Sequence, residues 1–312
     1  ANIDTAELAR IIDRAQPNST RVVIVSKSFT TLETIMNAKA VVAWLKANDC
    51  TKSQIANSLF AVTANVPTVK DFGIEEENIF PFWDWVGGRY SVWSAVGLPI
   101  ALQYGFKTFE EFLAGAHAMD LHFRNSPLED NLPVIMALAL LHQQEKYAIK
   151  SYAAIPYADA LDWFPKWLQQ LDMESNGKSI GKDGKSVKHS SPVVFGSAGS
   201  NAQHSYFQLF HQGPEVIPID FIAVRKPMSN RPEATAHHRI LLSNCLAQAQ
   251  ALAHGKHANN PNDVYPGKRP SNLLLLPELN AYYLGALLAL YENRAATLGA
   301  LWNINSFDQP GV

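Results

Sequence analysis

Arg21-Val22-Val23-Ile24-Val25 is a β-branched run with no polar alternation. A strand of that kind is buried on both faces, which is the situation of a strand in a parallel sheet. A parallel neighbour cannot be reached by a tight turn, so the chain must cross over before pairing again. The residues that follow supply the crossover. Ser26–Thr31 leads into a helical pattern reaching about Ala47, and Ser58–Thr63 is a second strand. Thr68–Phe72 is a short connecting segment, and Asn78–Trp85 reads as a third strand running into Gly87-Gly88-Arg89. Ahead of these, residues 4–15 carry apolar positions at helical spacing, closed by Pro17-Asn18-Ser19. The order strand, helix, strand, short helix, strand, helix predicts an α/β fold with parallel pairing.

Helical stretches are predicted from Phe109 to about Phe123 and from about Leu128 to Tyr147. Asn125-Ser126-Pro127 separates them, which divides the chain into domains 1–125 and 126–312. The second half repeats the scheme. A strand near Ile149–Ile155 precedes a helical pattern over Ala158–Leu171, amphipathic through Leu161, Phe164, Trp167 and Leu168. Val193–Gly196 is a strand candidate opening a helix to about Gln212. Val216–Val224 is another, with Ala234–His254 as its helix. A final helix runs from about Ala281 to Ile304.

With 312 residues the chain can bury a substantial core. Its 26 basic residues against 28 acidic ones argue against a nucleic-acid surface, while leaving room for a local anion pocket. The only cysteines, Cys50 and Cys245, sit in helical, partly apolar settings. They read as packed thiols, and a reducing cytoplasmic setting is expected. No signal peptide is evident at the start, and Glu292 and Arg294 close off the most apolar helical stretch, Leu284–Tyr291, well short of a membrane span. A soluble protein without membrane contact is the expectation.

Four polar loops carry the candidate chemistry. In Val86-Gly87-Gly88-Arg89-Tyr90-Ser91 the paired glycines would let a ligand approach the backbone, and Arg89 adds a permanent fork-shaped cation. A plain strand-to-helix turn with a surface arginine is the other reading. Ser26-Lys27-Ser28-Phe29-Thr30-Thr31 places four hydroxyls and a lysine between a buried strand and a helix. That segment reads either as helix capping or as a phosphate site, since helix N–H groups attract anions. Glu174, beside the turn signal Asn176-Gly177, is a surface carboxylate or a base facing a cleft. His204 follows a buried-looking strand, where ligand loops emerge in parallel sheets. There is no His-Glu-x-x-His, Cys-x-x-Cys, Gly-x-Gly-x-x-Gly or Walker-type loop, so neither a metal nor a nucleotide cofactor is expected.

Five blocks together resemble the glucose-6-phosphate isomerase family. They are Ser26-Lys-Ser-Phe-Thr-Thr, Val86-Gly-Gly-Arg-Tyr-Ser, Gln170-Leu-Asp-Met-Glu-Ser-Asn-Gly-Lys, Asn201-Ala-Gln-His and Ser306-Phe-Asp-Gln-Pro-Gly-Val, in the family's order and across nearly the whole chain. The resemblance implies two sugar-isomerase-type (SIS) domains, each a parallel sheet flanked by helices, the first incomplete. It implies interconversion of glucose 6-phosphate and fructose 6-phosphate through a cis-enediol, without cofactor or metal. Residue by residue, phosphate falls on Ser26, the backbone at Lys27, Ser28 and Thr31. The enediolate-stabilising arginine falls on Arg89, with the Gly88 backbone beside it. Gln170 and Gln309 match substrate-contacting glutamines, and Glu174 matches the base. His204 matches the ring-opening histidine, which the family supplies from the neighbouring subunit of a homodimer, and Glu33 matches its orienting group.

These residue types suit the chemistry. One carboxylate takes a proton from C2 and returns it to C1, and a fixed guanidinium stabilises the charge left on oxygen. A phosphate anchored on hydroxyls and N–H groups orients the sugar. Two departures stand out. The loop before His204 reads Gly196-Ser-Ala-Gly-Ser-Asn-Ala, where the family frequently has a glutamate and a proline. The chain also begins after the family's first Gly-Ser phosphate segment and ends before a lysine that assists ring opening. The resemblance therefore implies a central-to-C-terminal fragment with little activity of its own. Two alternatives stand beside this reading: a non-catalytic SIS-type sugar-phosphate-binding protein, and an isomerase of a related sugar phosphate.

Overall fold

A computed structural model describes residues 2–311; Ala1 and Val312, the last residue of the closing block, lie outside the described residues. The chain divides into two compact units, Ala1–Phe109 and Glu110–Val312.

The first unit opens with α1 (Thr5–Ile12), capped by the Asp4 carboxylate, which accepts from the Ala6 N–H at 2.9 Å. Next come β1 (Val22–Val25), α2 (Leu32–Ala47), α3 (Lys52–Ala56), β2 (Leu59–Thr63), α4 (Val66–Phe72), β3 (Ile79–Pro81) and α5 (Leu98–Tyr104). The strands form one parallel sheet in the order β1-β2-β3, with Val22 opposite Leu59 and Ala61 opposite Ile79. Ile24, Val41, Leu45, Ala61 and Val69 fill its core. The third strand is shorter than its aromatic run predicts. β2 stops at Thr63, whose carbonyl accepts from Phe82 N–H at 3.0 Å, and beyond that point no partner backbone remains. Trp83 and Trp85 leave the sheet as an exposed pair, stacked 5.4 Å apart and tilted by 14°.

The division between units falls inside α6 (Phe106–Asn125), whereas the sequence boundary at Asn125 is the end of that helix. The second unit continues with α7 (Leu132–Tyr147), β4 (Ser151–Tyr157), α8 (Phe164–Gln169), β5 (Val193–Phe195), α9 (Gly199–Gln203) and α10 (Phe207–Gln212). It ends with β6 (Ile219–Val224), α11 (Ala234–His254), β7 (Ser271–Leu276) and α12 (Ala281–Leu301). Its sheet is also parallel, in the order β5-β4-β6-β7. The two parallel-sheet, helix-flanked halves expected from the sequence are both present. Alternation assigns the two faces of the second sheet. Ala153, Ile155, Tyr157, Phe221 and Ala223 share a core with Phe207, Phe210, Cys245 and Leu252 of the following helices. Tyr152 and Asp220 point to the opposite face, where both bond to side chains of α12.

Two sequence expectations change here. The helical pattern Ala158–Leu171 is not one helix. It is a 3-10 turn at Asp159–Leu161, then α8, then a π-helical turn over Gln170–Glu174. Pro165 explains the break, because proline suits a first helical turn and not an interior. The second change concerns α12: Arg294 does not close off its apolar stretch but is buried within it, 1% exposed.

Helices α6 and α12 touch backbone to backbone. A Cβ on Gly115 would lie 1.8 Å from the Tyr282 carbonyl oxygen, and one on Gly285 would lie 2.0 Å from that of Phe112. Backbone cannot yield as a side chain tip can. Gly285→Ala is therefore expected to cost about 1–3 kcal/mol, the usual penalty of overpacking, or more. Urea unfolding should show a lower midpoint at an unchanged slope.

Candidate active site

In the first unit, parallel pairing sends the carboxyl ends of β1, β2 and β3 to one edge of the sheet, and two of the predicted blocks start there. After β1, the Ser26 N–H donates to the Val62 carbonyl at 3.1 Å, and Ser26 is buried. Its Oγ accepts from the Phe29 N–H at 3.1 Å and lies 3.4 Å from Thr31 Oγ1. Phe29 takes a left-handed φ of 56° and buries its ring edge-on against Phe72. That bend leaves Lys27, Ser28 and Thr31 exposed. The loop is braced from β2 and the residues after it: Thr63 Oγ1 donates to the Lys27 carbonyl at 3.0 Å and Asn65 Nδ2 to the Ser28 carbonyl at 3.1 Å. Thr31 stands at the N-cap of α2 without a side-chain capping bond, so plain capping does not account for its hydroxyl. Glu33 is half-buried in the first turn of the same helix.

The glycine-arginine block follows β3 after its exposed tryptophans. Gly87 has φ −72°, and Gly88 is not left-handed; a Cβ on Gly88 would meet no atom within 4 Å. The position is open space at the exposed start of a 3-10 turn, Gly88–Trp93, and no left-handed backbone requires the glycine there. Arg89 is buried, not on the surface, and its guanidinium lies 5.3 Å from the centroid of the Tyr90 ring.

In the second unit, the π-turn Gln170–Glu174 carries both predicted residues of its block. Gln170 is exposed and Glu174 half-buried. Glu174 and Gln309 line one cavity of about 620 Å3, together with Gly177, Lys178, Asn305 and Asp308. Asn176 is not an exposed turn residue but fully buried. Its Nδ2 donates to the Ala295 carbonyl at 2.8 Å, and its Oδ1 accepts from Ser306 Oγ at 2.6 Å. Gly177 passes so near the Met173 carbonyl that a Cβ would sit 2.2 Å from it. Lys178 then clips the far wall. Its Nζ donates to Asp308 Oδ1 at 2.5 Å, to the Asp308 carbonyl at 2.9 Å and to the Asn305 carbonyl. The hydrogen bond from Lys178 holds the Asp308 carboxyl below its ordinary range. His204 ends α9, is exposed, and is not among the residues lining this cavity.

Behind the π-turn lies a charged cluster that the sequence analysis does not single out. Arg294, buried in α12, donates from Nη2 to Asp172 Oδ2 and from Nη1 to Tyr152 OH at 2.8 Å. Asp220 Oδ2 accepts from Tyr291 OH at 2.7 Å and from Tyr152 OH, lies 3.6 Å from Arg294 Nη1, and Asp220 Oδ1 accepts from Asn272 Nδ2 at 2.7 Å. Burial pushes the Asp172 carboxyl up to about 6, with Asp220 adding to the rise and Arg294 opposing it. Burial by itself would lower the Arg294 guanidinium, but Asp172, Tyr152 and Asp220 hold it above its usual value. The sequence did hold a signal: Asp220 is the lone charge in the apolar run Ile217–Val224, and Arg294 lies in the most apolar helix.

Two parallel sheets with polar loops at strand ends define a helix-flanked α/β protein of the kind whose ligand sites sit beyond the carboxyl edges. The sequence matches the family described as phosphoglucose isomerase over residues 1–312. It is 47% identical over 324 residues to the glucose-6-phosphate isomerase of Dechloromonas aromatica, covering 100% of this chain and 61% of that protein. Against the glucose-6-phosphate isomerase of Cupriavidus taiwanensis it is 46% identical over 325 residues, covering 100% of this chain and 59% of the relative. The crystal structure of a glucose-6-phosphate isomerase from Chlamydia trachomatis superposes with a TM-score of 0.88 at 35% identity, over 99% of this chain and 60% of the other. The chain belongs to the phosphoglucose isomerase family, and it spans about three-fifths of the length of these relatives. Among the described residues, no helix is long and apolar enough to cross a membrane.

Two outcomes are expected. Lys178→Met should release the 305–311 segment, seen as faster limited proteolysis there with β4 and β6 still protected. The second concerns pH. A carboxyl raised on folding favours the folded state below its unfolded value, near 4, and loses that contribution as pH rises through about 6. The stability difference between the wild type and Asp172→Asn should therefore shift against the wild type from pH 4 to 7. The shift should be at most about 3 kcal/mol, read by urea unfolding.

Proposed function

We propose that this chain supplies most of the active site of an aldose–ketose isomerase that interconverts glucose 6-phosphate and fructose 6-phosphate through a cis-enediol. The observation that carries the reading is the cavity in the second unit. Glu174 and Gln309, from blocks far apart in the sequence, open into the same space, and Lys178 holds its walls together.

In this reading Glu174 takes the proton from C2 and returns it to C1, acting on both carbons from one position. Gln170 and Gln309 hold the sugar hydroxyls. Arg89, with the Gly88 backbone beside it, stabilises the charge that develops on the enediolate oxygen; its burial supports this, since a guanidinium shielded from water acts more strongly on a nearby charge. The phosphate rests on Ser26, the Lys27 backbone, Ser28 and Thr31, where exposed hydroxyls stand before the N-terminus of α2. His204 opens the ring as acid and base, oriented by Glu33, and reaches the substrate from the neighbouring subunit of a homodimer. Its exposure, and its absence from the lining of the Glu174 cavity, support that arrangement. A cytoplasmic setting fits the two free cysteines, Cys50 and Cys245. The chemistry needs no cofactor.

Glu174→Gln removes the base and preserves the shape of the site. It is expected to lower kcat on the order of 10³-fold in the protein carrying this sequence. Affinity for a non-isomerisable sugar phosphate, measured by calorimetry, should stay within a few-fold. Exchange of the C2 proton with solvent should stop in the variant. Wild-type binding without any C2 exchange would instead identify a sugar-phosphate-binding protein. Retained exchange in Glu174→Gln would move the base elsewhere.

A further inference from the structure

We infer that the buried Asp172–Arg294 pair is a positioning device for the Glu174 carboxylate, an inference that rests on reading Glu174 as the base. Asp172 and Glu174 lie two residues apart on the same π-turn. Asp172 is 2% exposed and held by the Arg294 fork, while Glu174 faces the cavity. A π-turn is a strained departure from the α-helix and is kept where geometry at a site requires it. Arg294 is a suitable anchor because α12 leads directly into the opposite wall. Its neighbour Ala295 accepts from Asn176, and Asn176 accepts from Ser306, two residues before Asp308 and three before Gln309. The guanidinium thus ties the turn bearing the base to α12, and Asn176, two residues after the base, ties the same stretch to Ala295 of α12 and to the segment bearing the substrate-facing glutamine.

The pair is poorly built for stability. Two buried carboxylates face one guanidinium, and neither Asp172 Oδ1 nor Arg294 Nε has a hydrogen-bond partner among the described residues. Buried pairs of this kind commonly cost as much in desolvation as they return, and a role in fixing one conformation explains their retention better than a role in stability. Tyr152 and Tyr291 stack on the guanidinium at 5.0 and 4.6 Å and fix its plane, so the direction of the fork toward Asp172 is set from the sheet side.

The test compares Asp172→Asn and Arg294→Lys with the wild type. Asp172→Asn keeps the shape and removes the surplus charge. Its melting temperature at pH 7.5 should be no lower than that of the wild type, yet amide exchange over residues 170–176 should quicken at least tenfold, with β4 and β6 unchanged. Its kcat should fall at least tenfold with KM within twofold. Arg294→Lys keeps the charge and loses the fork, so its kcat should fall between the two. Unchanged exchange over 170–176 in Asp172→Asn would overturn the inference. So would a protein that no longer folds, or a kcat loss that only tracks a loss of folded material. Glu174→Gln run in parallel separates the two levels. If it stays active the base assignment is wrong, and the exchange measurement still decides whether the pair positions the turn.

Discussion

A parallel strand buried on both faces can be left only through its ends, and the rest of this molecule follows from that constraint. Hydrogen bonds saturate the strand edges and helices cover the faces, so polar residues that must meet solvent or ligand collect where strands stop. In the first unit the hydroxyl loop follows β1 and the glycine-arginine block follows β3, two strands over on the same edge with β2 between them. In the second unit the loop ending at His204 follows β5 by the same logic. The loops need no regular structure of their own. They are held by side-chain bonds to neighbouring strands, as Thr63 holds the Lys27 carbonyl.

The second unit adds a different constraint: a charge inside its core. Arg294 cannot lose its proton, so the fold has to surround it with acceptors. Asp172 and Asp220 meet that need at different nitrogens, one from the π-turn and one from near the start of the interior strand β6. A cation there makes the helix, the sheet and the turn dependent on each other's register. Apolar contacts would tolerate small slippage between these elements, but a forked donor would not.

Much of the fold was legible because the hydrophobic pattern is local. The unalternated run at Val22–Val25 marks a buried strand in any context, and Ala234–His254 was delimited by its own periodicity. The failures lie where tertiary contact overrides pattern. The aromatic run at Phe80–Trp85 looks buried, but its neighbouring strand ends too early to pair with it. Ala158–Leu171 has helical spacing, yet Pro165 and the inward pull on Asp172 break it into three kinds of turn. Asn176 resembles a turn residue because its identity says nothing about which backbone carbonyl, more than a hundred positions away, it will satisfy. In the site, residue types and order were readable from the five blocks. The clip by Lys178 and the anchor at Arg294 were not, because both join segments distant in sequence.

The π-turn has a consequence for how this segment tolerates change. Five residues span a stretch in which the backbone carries more chain per turn than an α-helix does. Each residue of an α-helix advances the side chains by roughly 100° around the axis. Losing one residue between Gln170 and Glu174 would let the backbone relax into ordinary helical winding and swing the glutamate from the cavity toward the flank of the helix. Gln170 and Glu174 would both survive such a deletion, and their angular phase would shift. At this position the length of the chain, as much as its chemistry, sets where the carboxylate points.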